Sequence, residues 1–331
     1  MTTRLRRRAV LRLTAGAAGL PFLGARARAA PYPTRAITIV IGYSVGGATD
    51  TTTRILADRL QQLLAQPVVV ENVTGANGSI AVGRVVRAAP DGYTLSIGDL
   101  GTHVVNQATY ALPYDVQNDL TPIALLRSSA FLVVAKPSMP GGTLQELITW
   151  LRANPEKATA GTGGVGGAEH LAGLTFENVT GIRVRFVSYR GGLQALQDTL
   201  TGQIDMGFAN PLISIPHIRA ATLKAYAVMD RRRLAQLPDV PTVDEAGAPG
   251  AYYTSWTSLW APKGTPQEII ARLNAAVIEA STDPRLRARY RALAVDVPDA
   301  DQQTPAALRA LQQAEIAKWW PIVKAAKLRF D

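Results

Sequence analysis

The 331-residue chain contains no cysteine, which excludes thiol nucleophiles, iron–sulfur clusters, cysteine-ligated zinc and disulfide staples. A chain of this length can bury a core large enough to do without staples. Histidine is scarce as well: His103, His170 and His217 stand far apart and fit no metal-ligand spacing, so neither metal nor cofactor is expected. Aromatic residues make up 6% of the chain and charged residues 18%, against 47% hydrophobic, an ordinary globular balance. No segment beyond the N-terminus is apolar over the ~20 residues that a spanning helix needs. Gly-x-Ser-x-Gly elbows, His-Glu-x-x-His pairs, Walker loops and close carboxylate pairs are also missing, which argues against an enzyme.

The formal net charge is +10, and a basic balance of that size invites a nucleic-acid partner. Its distribution argues otherwise. Residues 1–29 hold seven arginines and no acid, so most of the excess sits there and no nucleic-acid partner is expected. This stretch reads as an export signal: an Arg-rich start, a modestly apolar run over residues 9–23, then the small-residue pattern Ala27-Arg28-Ala29. Arg7-Arg8-Ala9-Val10-Leu11 fits the twin-arginine type. A retained anchor is the alternative, but the apolar run is short for a membrane span. The expectation is a periplasmic protein with its signal cleaved near Ala29.

After residue 29, short apolar runs alternate with amphipathic stretches. Residues 36–41 (AITIVI) read as a buried strand, and 53–64 carry apolar residues on one helical face. A strand at 68–71, a helix at 80–89 and a strand at 93–97 complete a βαβαβ order, which implies a parallel sheet covered by helices. A second unit follows, with strands at 131–135, 158–161, 183–188, 204–208 and 225–229. Thr143-Leu144-Gln145-Glu146 is a capping box, and Thr265-Pro266-Gln267-Glu268 repeats the pattern with proline at the first helical position. A last helix is expected from Thr304 to about Lys327, kinked at Pro321. The fold class is therefore α/β with two lobes and mainly parallel sheets. Crossovers between lobes are expected near residues 136–142 and 237–250.

Candidate chemistry lies in loops after strands, where open α/β sheets place ligands. Tyr43-Ser44-Val45-Gly46-Gly47-Ala48-Thr49-Asp50 joins the first strand to the first helix. Its two glycines permit close backbone approach, and the helix start offers free N–H groups to an anion. Asp50 is assigned to capping that helix and pinning the loop. A plain, well-capped turn is the alternative reading. Gly101-Thr102-His103 follows the third strand, and His103 is either a donor to a carboxylate or a structural hydrogen-bonder. Gly161-Thr162-Gly163-Gly164-Val165-Gly166 is a literal GxGxxG, but its strand is weak and the acids Glu169 and Glu177 come too early for a dinucleotide fingerprint. An oxidoreductase using NAD through this loop is the enzyme alternative. Tyr189-Arg190-Gly191 and Asn210 follow strands of the second unit and could face the first across a cleft. Arg190 is either a carboxylate partner or a solvated surface arginine. Trp256 is a core residue or a cavity wall.

In order along the chain, these loops and the blocks between them resemble Bug-type substrate-binding proteins of the tripartite tricarboxylate transporter (TctC-like) family. The resemblance rests on Tyr32-Pro33-Thr34-Arg35-Ala36-Ile37, Gly46-Gly47-Ala48-Thr49-Asp50, Gln66-Pro67-Val68-Val69-Val70-Glu71-Asn72 and Ala89-Pro90-Asp91-Gly92-Tyr93-Thr94-Leu95. It continues through Gly101-Thr102-His103, His170-Leu171-Ala172-Gly173, Gly202-Gln203-Ile204-Asp205, Leu237-Pro238-Asp239-Val240-Pro241-Thr242-Val243 and Ala261-Pro262-Lys263-Gly264-Thr265-Pro266. It implies a type II periplasmic binding-protein fold with a ligand cleft: signal 1–29, lobe 1 over 30–130, lobe 2 over 131–250, and a return to lobe 1 over 251–331. It also implies a monomer that captures a small carboxylate and hands it to permease subunits of a tripartite transporter, or in some members presents it to a sensor. Ligand contacts are then expected from Tyr43, Ser44, Gly46, Gly47, Ala48, Thr49, Asp50, Gly101, Thr102, His103, Gly166, Gly167, Ala168, His170, Tyr189, Arg190, Gly191 and Asn210. The chain departs from the family pattern at Val45, where proline is usual, at Gly167 and Ala168, where hydroxyls are common, and at Ala209, where an acid is often found. Fewer hydroxyls and no acid there imply a ligand tail larger or less polar than citrate, an aromatic one included.

Overall fold

The computed structural model describes residues 32–325. The expected export signal and cleavage site, and the end of the last helix near Lys327, lie outside the described residues. The first unit runs β1 (Ile37–Ile41), α1 (Ala48–Leu64), β2 (Val68–Asn72), α2 (Ser79–Val86) and β3 (Thr94–Asp99). A π-helical turn (Gly101–Val105) leads into the short α3 (Asn106–Thr109) and then the long strand β4 (Leu120–Ala130). The second unit runs β5 (Leu132–Ala135), α4 (Leu144–Ala153), β6 (Thr159–Thr162), α5 (Ala168–Thr180), β7 (Arg185–Ser188), α6 (Gly192–Leu200), β8 (Met206–Ala209), α7 (Pro211–Arg219) and β9 (Lys224–Val228). The chain then returns through β10 (Thr254–Pro262), α8 (Gln267–Thr282), α9 (Pro284–Ala292) and α10 (Pro305–Ala325).

Two five-stranded sheets result, in the orders β2-β1-β3-β10-β4 and β7-β6-β8-β5-β9. Within each, three adjacent strands pair in parallel, and one reversed strand (β10 or β5) pairs antiparallel on both sides. Four of the five strands in each sheet thus share one direction, the mainly parallel arrangement expected. The central strands serve two cores because alternate residues face opposite sides. In β1, Ile37, Ile39 and Ile41 pack with Leu56 and Leu60 of α1 and Leu273 of α8, whereas Val40 packs with α2 and α10. In β5, Val133 and Ala135 face α4 and α5, whereas Leu132 and Val134 face α6 and α7.

The chain passes between sheets at Phe131, side by side with the returning segment. Phe131 N–H donates to Tyr253 O (3.1 Å), Met229 N–H to Phe131 O (2.8 Å) and Tyr253 N–H to Met229 O (2.9 Å). Residues 136–142, expected as a crossover, instead join β5 to α4 inside the second unit.

The helix boundaries correct one cap. Thr143 and Glu146 form the expected box on α4, with Glu146 N–H on Thr143 Oγ1 (3.3 Å) and Thr143 N–H on Glu146 Oε2 (3.2 Å). The second box does not form. Pro266 itself is the N-cap of α8, and Thr265 Oγ1 donates to Pro262 O (2.8 Å), closing the turn before the helix. The strand β4 has no counterpart in the sequence reading, because Pro122 and Arg127 interrupt its apolar run. It lies at a sheet edge and, apart from a bridge of Ser128 to Asp296, pairs with β10, and at such an edge a proline lacking its N–H is tolerated. The helices α7, with Pro216 inside it, and α9 were also unexpected.

Candidate functional site

Four helices begin at one cavity between the two sheets: α1 from the first unit, and α5, α6 and α7 from the second. The N-caps of α1, α5 and α6 are Gly47, Gly167 and Gly191, and none has a side-chain cap. Apart from Glu169 N–H, which its own carboxylate accepts, their first-turn N–H groups lack the usual internal acceptor, and their dipoles favour an anion. The α7 start differs, since Asn210 Oδ1 accepts from Leu212 N–H (3.0 Å).

Asp50 holds the first of these loops. Its Oδ2 accepts from Gly46 N–H (2.9 Å), and its Oδ1 accepts from Arg54 Nε (3.0 Å) and Asn72 Nδ2 (3.0 Å). Burial would raise its pKa, but the hydrogen bonds from Arg54, Gly46 and Asn72 hold it below the ordinary value. Gly46 takes φ of +81°, a conformation a side chain would strain. Asn72 Nδ2 also donates to Tyr43 O (2.9 Å), tying the loop to β2. Asp50 thus pins the loop from behind the cavity wall as expected, but it does not cap α1, whose N-cap Gly47 has no side-chain partner.

The cavity offers about 70 Å³ to the centres of water-sized molecules. One water needs roughly 10–15 Å³ by that measure, so the space suits a few waters or a small organic acid. Of the residues expected from sequence, Tyr43, Ser44, Gly47, Ala48, Thr49, Ala168, Gly191 and Asn210 line it. Gly46, Asp50, Gly101, Thr102, His103, Gly166, Gly167, His170, Tyr189 and Arg190 do not. His103 is fully buried against the Trp260 ring, with Nδ1 3.0 Å from Thr102 Oγ1. Burial lowers its pKa to about 3, so the ring is neutral and structural. His170 Nδ1 accepts from Gly166 N–H (3.0 Å), and burial lowers its pKa to about 4. It fixes the glycine loop from behind. Tyr189 and Arg190 line a neighbouring opening, and Tyr189 donates to Asp198 Oδ2 (2.7 Å).

The glycine loop is committed elsewhere. Gly163 N–H donates to Glu169 Oε2 (3.2 Å) and Gly166 N–H to His170, so donors that a dinucleotide pyrophosphate would need are taken. A Cβ on Gly166 would lie 3.0 Å from Val105 Cγ1, so the loop is wedged against the first unit. The units also meet where Ser44 Oγ donates to Gln194 Oε1 (3.3 Å) and Tyr110 to Val165 O (3.3 Å). These contacts describe a closed cleft.

The sequence reading missed the charged wall. Arg127 on β4 is 2% exposed, donates from Nε to Thr52 Oγ1 (2.8 Å), and leaves Nη1 without a partner. Burial lowers its pKa, partly offset by the Asp99 carboxylate; a guanidinium nonetheless keeps its proton. Asp99 ends β3, and its Oδ1 accepts from Thr102 N–H (2.8 Å) and Thr102 Oγ1 (2.9 Å). Glu169 stands in the first turn of α5, and both acids face the cavity. Burial raises both pKa values, against the hydrogen bonds that each accepts. The acid missing at Ala209 is therefore matched by acids elsewhere in the wall. Leu100, Phe131, Leu193, Ile213 and Trp256 form its apolar part. Among the described residues no cluster of His, Asp and Glu could hold a metal, and no helix is long and apolar enough to cross a membrane.

Comparison with known proteins agrees with this architecture. The family model described as "Tripartite tricarboxylate transporter family receptor" matches residues 52–328. Protein BugT of Bordetella pertussis is 32% identical over 302 residues, covering 90% of this chain and 92% of BugT. The structure of MatC from Rhodopseudomonas palustris with bound malate is 35% identical, with a TM-score of 0.84, over 88% of this chain and all of that one. The R. palustris protein Rpa4515 with adipate is 31% identical, with a TM-score of 0.84, over 89% of this chain and 98% of that one. The chain belongs to the tripartite tricarboxylate transporter receptor family, the group that also contains the Bug proteins.

Proposed function

We propose that this chain is a periplasmic solute-binding receptor that captures a small carboxylate by closing its two lobes and delivers it to a tripartite tricarboxylate-type permease. The observation that carries this reading is Arg127: a buried guanidinium with a free Nη1, facing a cavity ringed by helix N-termini without side-chain caps. A buried cation without a partner is costly, and a ligand carboxylate would supply the missing acceptor. Malate in MatC and adipate in Rpa4515 support a carboxylate ligand. The apolar wall of Leu100, Phe131, Leu193, Ile213 and Trp256 supports a ligand body less polar than citrate, aromatic bodies included.

In this reading residues 1–29 direct export and are removed near Ala29, and the mature protein works as a monomer. Residues 30–130 and 251–331 form one lobe and 131–250 the other. The open cleft is wet, and the ligand, bound to both lobes, stabilises the closed state. Micromolar affinity corresponds to about −8 kcal/mol, within reach of several charge-assisted hydrogen bonds and apolar burial. Isothermal titration of the mature protein with a panel of small organic acids tests the reading. At least one acid is expected to bind at micromolar concentration, with binding lost in Arg127→Met. Failure of every acid, or full binding by that variant, overturns it.

A further inference from the structure

The cavity wall carries three charged side chains, and none is ion-paired among the described residues. Two lie on neighbouring strands of one sheet. Thr257 on β10 is in register with Asp99 of β3 on one side and with Arg127 of β4 on the other. Residues in register across three strands share a face, so Asp99 and Arg127 stand two strand spacings apart, about 10 Å between backbones. The third, Glu169, comes from the opposite unit at the first turn of α5. Gly192 lets Glu169 approach α6, because a Cβ there would overlap Glu169 Oε1.

The unmade hydrogen bonds divide by sign. Arg127 Nη1 is a buried donor without an acceptor. It calls for an anionic oxygen. Asp99 and Glu169 together offer more lone pairs than the donors of Thr102, Tyr43 and Gly163 use. They call for a donor. With all three ionised the wall carries one net negative charge. A dicarboxylate would bring two more into a cavity largely closed to water, whereas a zwitterion adds none and pairs the charges already there.

We propose that this cavity selects an aminocarboxylate, with its carboxylate on Arg127 and its cationic nitrogen on Glu169 and Asp99. The inference rests on the receptor reading above and narrows its ligand class. Burial favours the protonated form of either acid until such a cation arrives.

The test is isothermal titration of the mature protein with three chain-matched series of four to six carbons: dicarboxylates, ω-aminocarboxylates and α-amino acids. Some aminocarboxylate is expected to bind at least tenfold more tightly than the dicarboxylate of equal length. Glu169→Gln should shrink that preference to under threefold, weakening the amino ligand and strengthening the dicarboxylate. Asp99→Asn should act in the same direction, and thermal melts establish that each variant folds. If the dicarboxylates bind wild-type protein as tightly as every aminocarboxylate, or if the variants change both classes equally, the aminocarboxylate assignment is wrong and the receptor reading stands. If no compound of any series binds, the aminocarboxylate assignment is wrong, and the receptor reading falls with it only when the wider panel of small organic acids, aromatic ones included, fails as well.

Discussion

Arg127, with Nε on Thr52 and Nη1 on nothing, is expensive to bury: the penalty for an interior ion is several kcal/mol, even after relaxation. Arg127→Met should therefore leave the ligand-free melting temperature unchanged or raise it while binding is lost. Thr52 Oγ1 keeps its bond to Ala48 O in that variant. A large fall in melting temperature would mean that the arginine is structural. Asp50→Ala removes acceptors from Gly46, Arg54 and Asn72. At ~1.5–3 kcal/mol for a hydrogen bond to a charged group, it should destabilise the fold by at least about 2 kcal/mol in urea unfolding and weaken binding about tenfold. His103 and His170 titrate far below an exposed imidazole, at about 3 and about 4. The unfolded chain therefore takes up protons first, and stability falls as pH drops from about 6.5 toward 4. Their ring resonances should not move between pH 7 and 5; a midpoint near 6.5 would contradict the buried neutral state. The Asp50 loop was legible because its residues are contiguous. Arg127 was not, because a single arginine in a strand carries no pattern until β10 sets it level with Asp99.

The capping box of α4 was readable as four consecutive residues, and Thr143→Ala should cost about 1 kcal/mol in urea unfolding with ligand affinity unchanged. The same four-residue pattern misled at α8, where Pro266 takes the cap position and turns Thr265 back onto Pro262. Local sequence names a candidate cap, but the entering chain direction decides which residue fills it. The strand β4 and the helix α7 escaped detection for a related reason. Each carries a proline that reads as a breaker, yet Pro122 lies on an edge strand and Pro216 stands on the exposed side of α7. Glycine N-caps on α1, α5 and α6 leave donors unused for ligand, a sacrifice of helix stability to function. Gly47 has an ordinary extended φ of −70°, and a Cβ there would meet Ser44 O at an unstrained 3.5 Å. Gly47→Asp should stabilise α1 slightly in thermal melts and weaken carboxylate binding at least tenfold by titration. Undiminished affinity would remove the α1 terminus from the site.

At the scale of the whole molecule, two sheets are joined through the hydrogen-bonded trio Phe131, Met229 and Tyr253, and the cavity lies where the helices of both units begin. The alternation of strands and helices announced two α/β units, because each βα step is local. The resemblance implied that the segment after residue 250 returns to the first unit, but its pairing with β4 carries no local signal, since it joins residues more than 120 positions apart. The closed arrangement, with Ser44 on Gln194 and the glycine loop against Val105, is the state a ligand should favour. Small-angle scattering should accordingly show a smaller radius of gyration for the loaded protein than for the empty one. The most direct test is a crystal structure of the mature protein with its tightest-binding acid. A carboxylate oxygen is expected within hydrogen-bond distance of Arg127 Nη1, between the starts of α1 and α6. An acid held instead at the outer opening beside Tyr189 and Arg190, with Arg127 untouched, would contradict it.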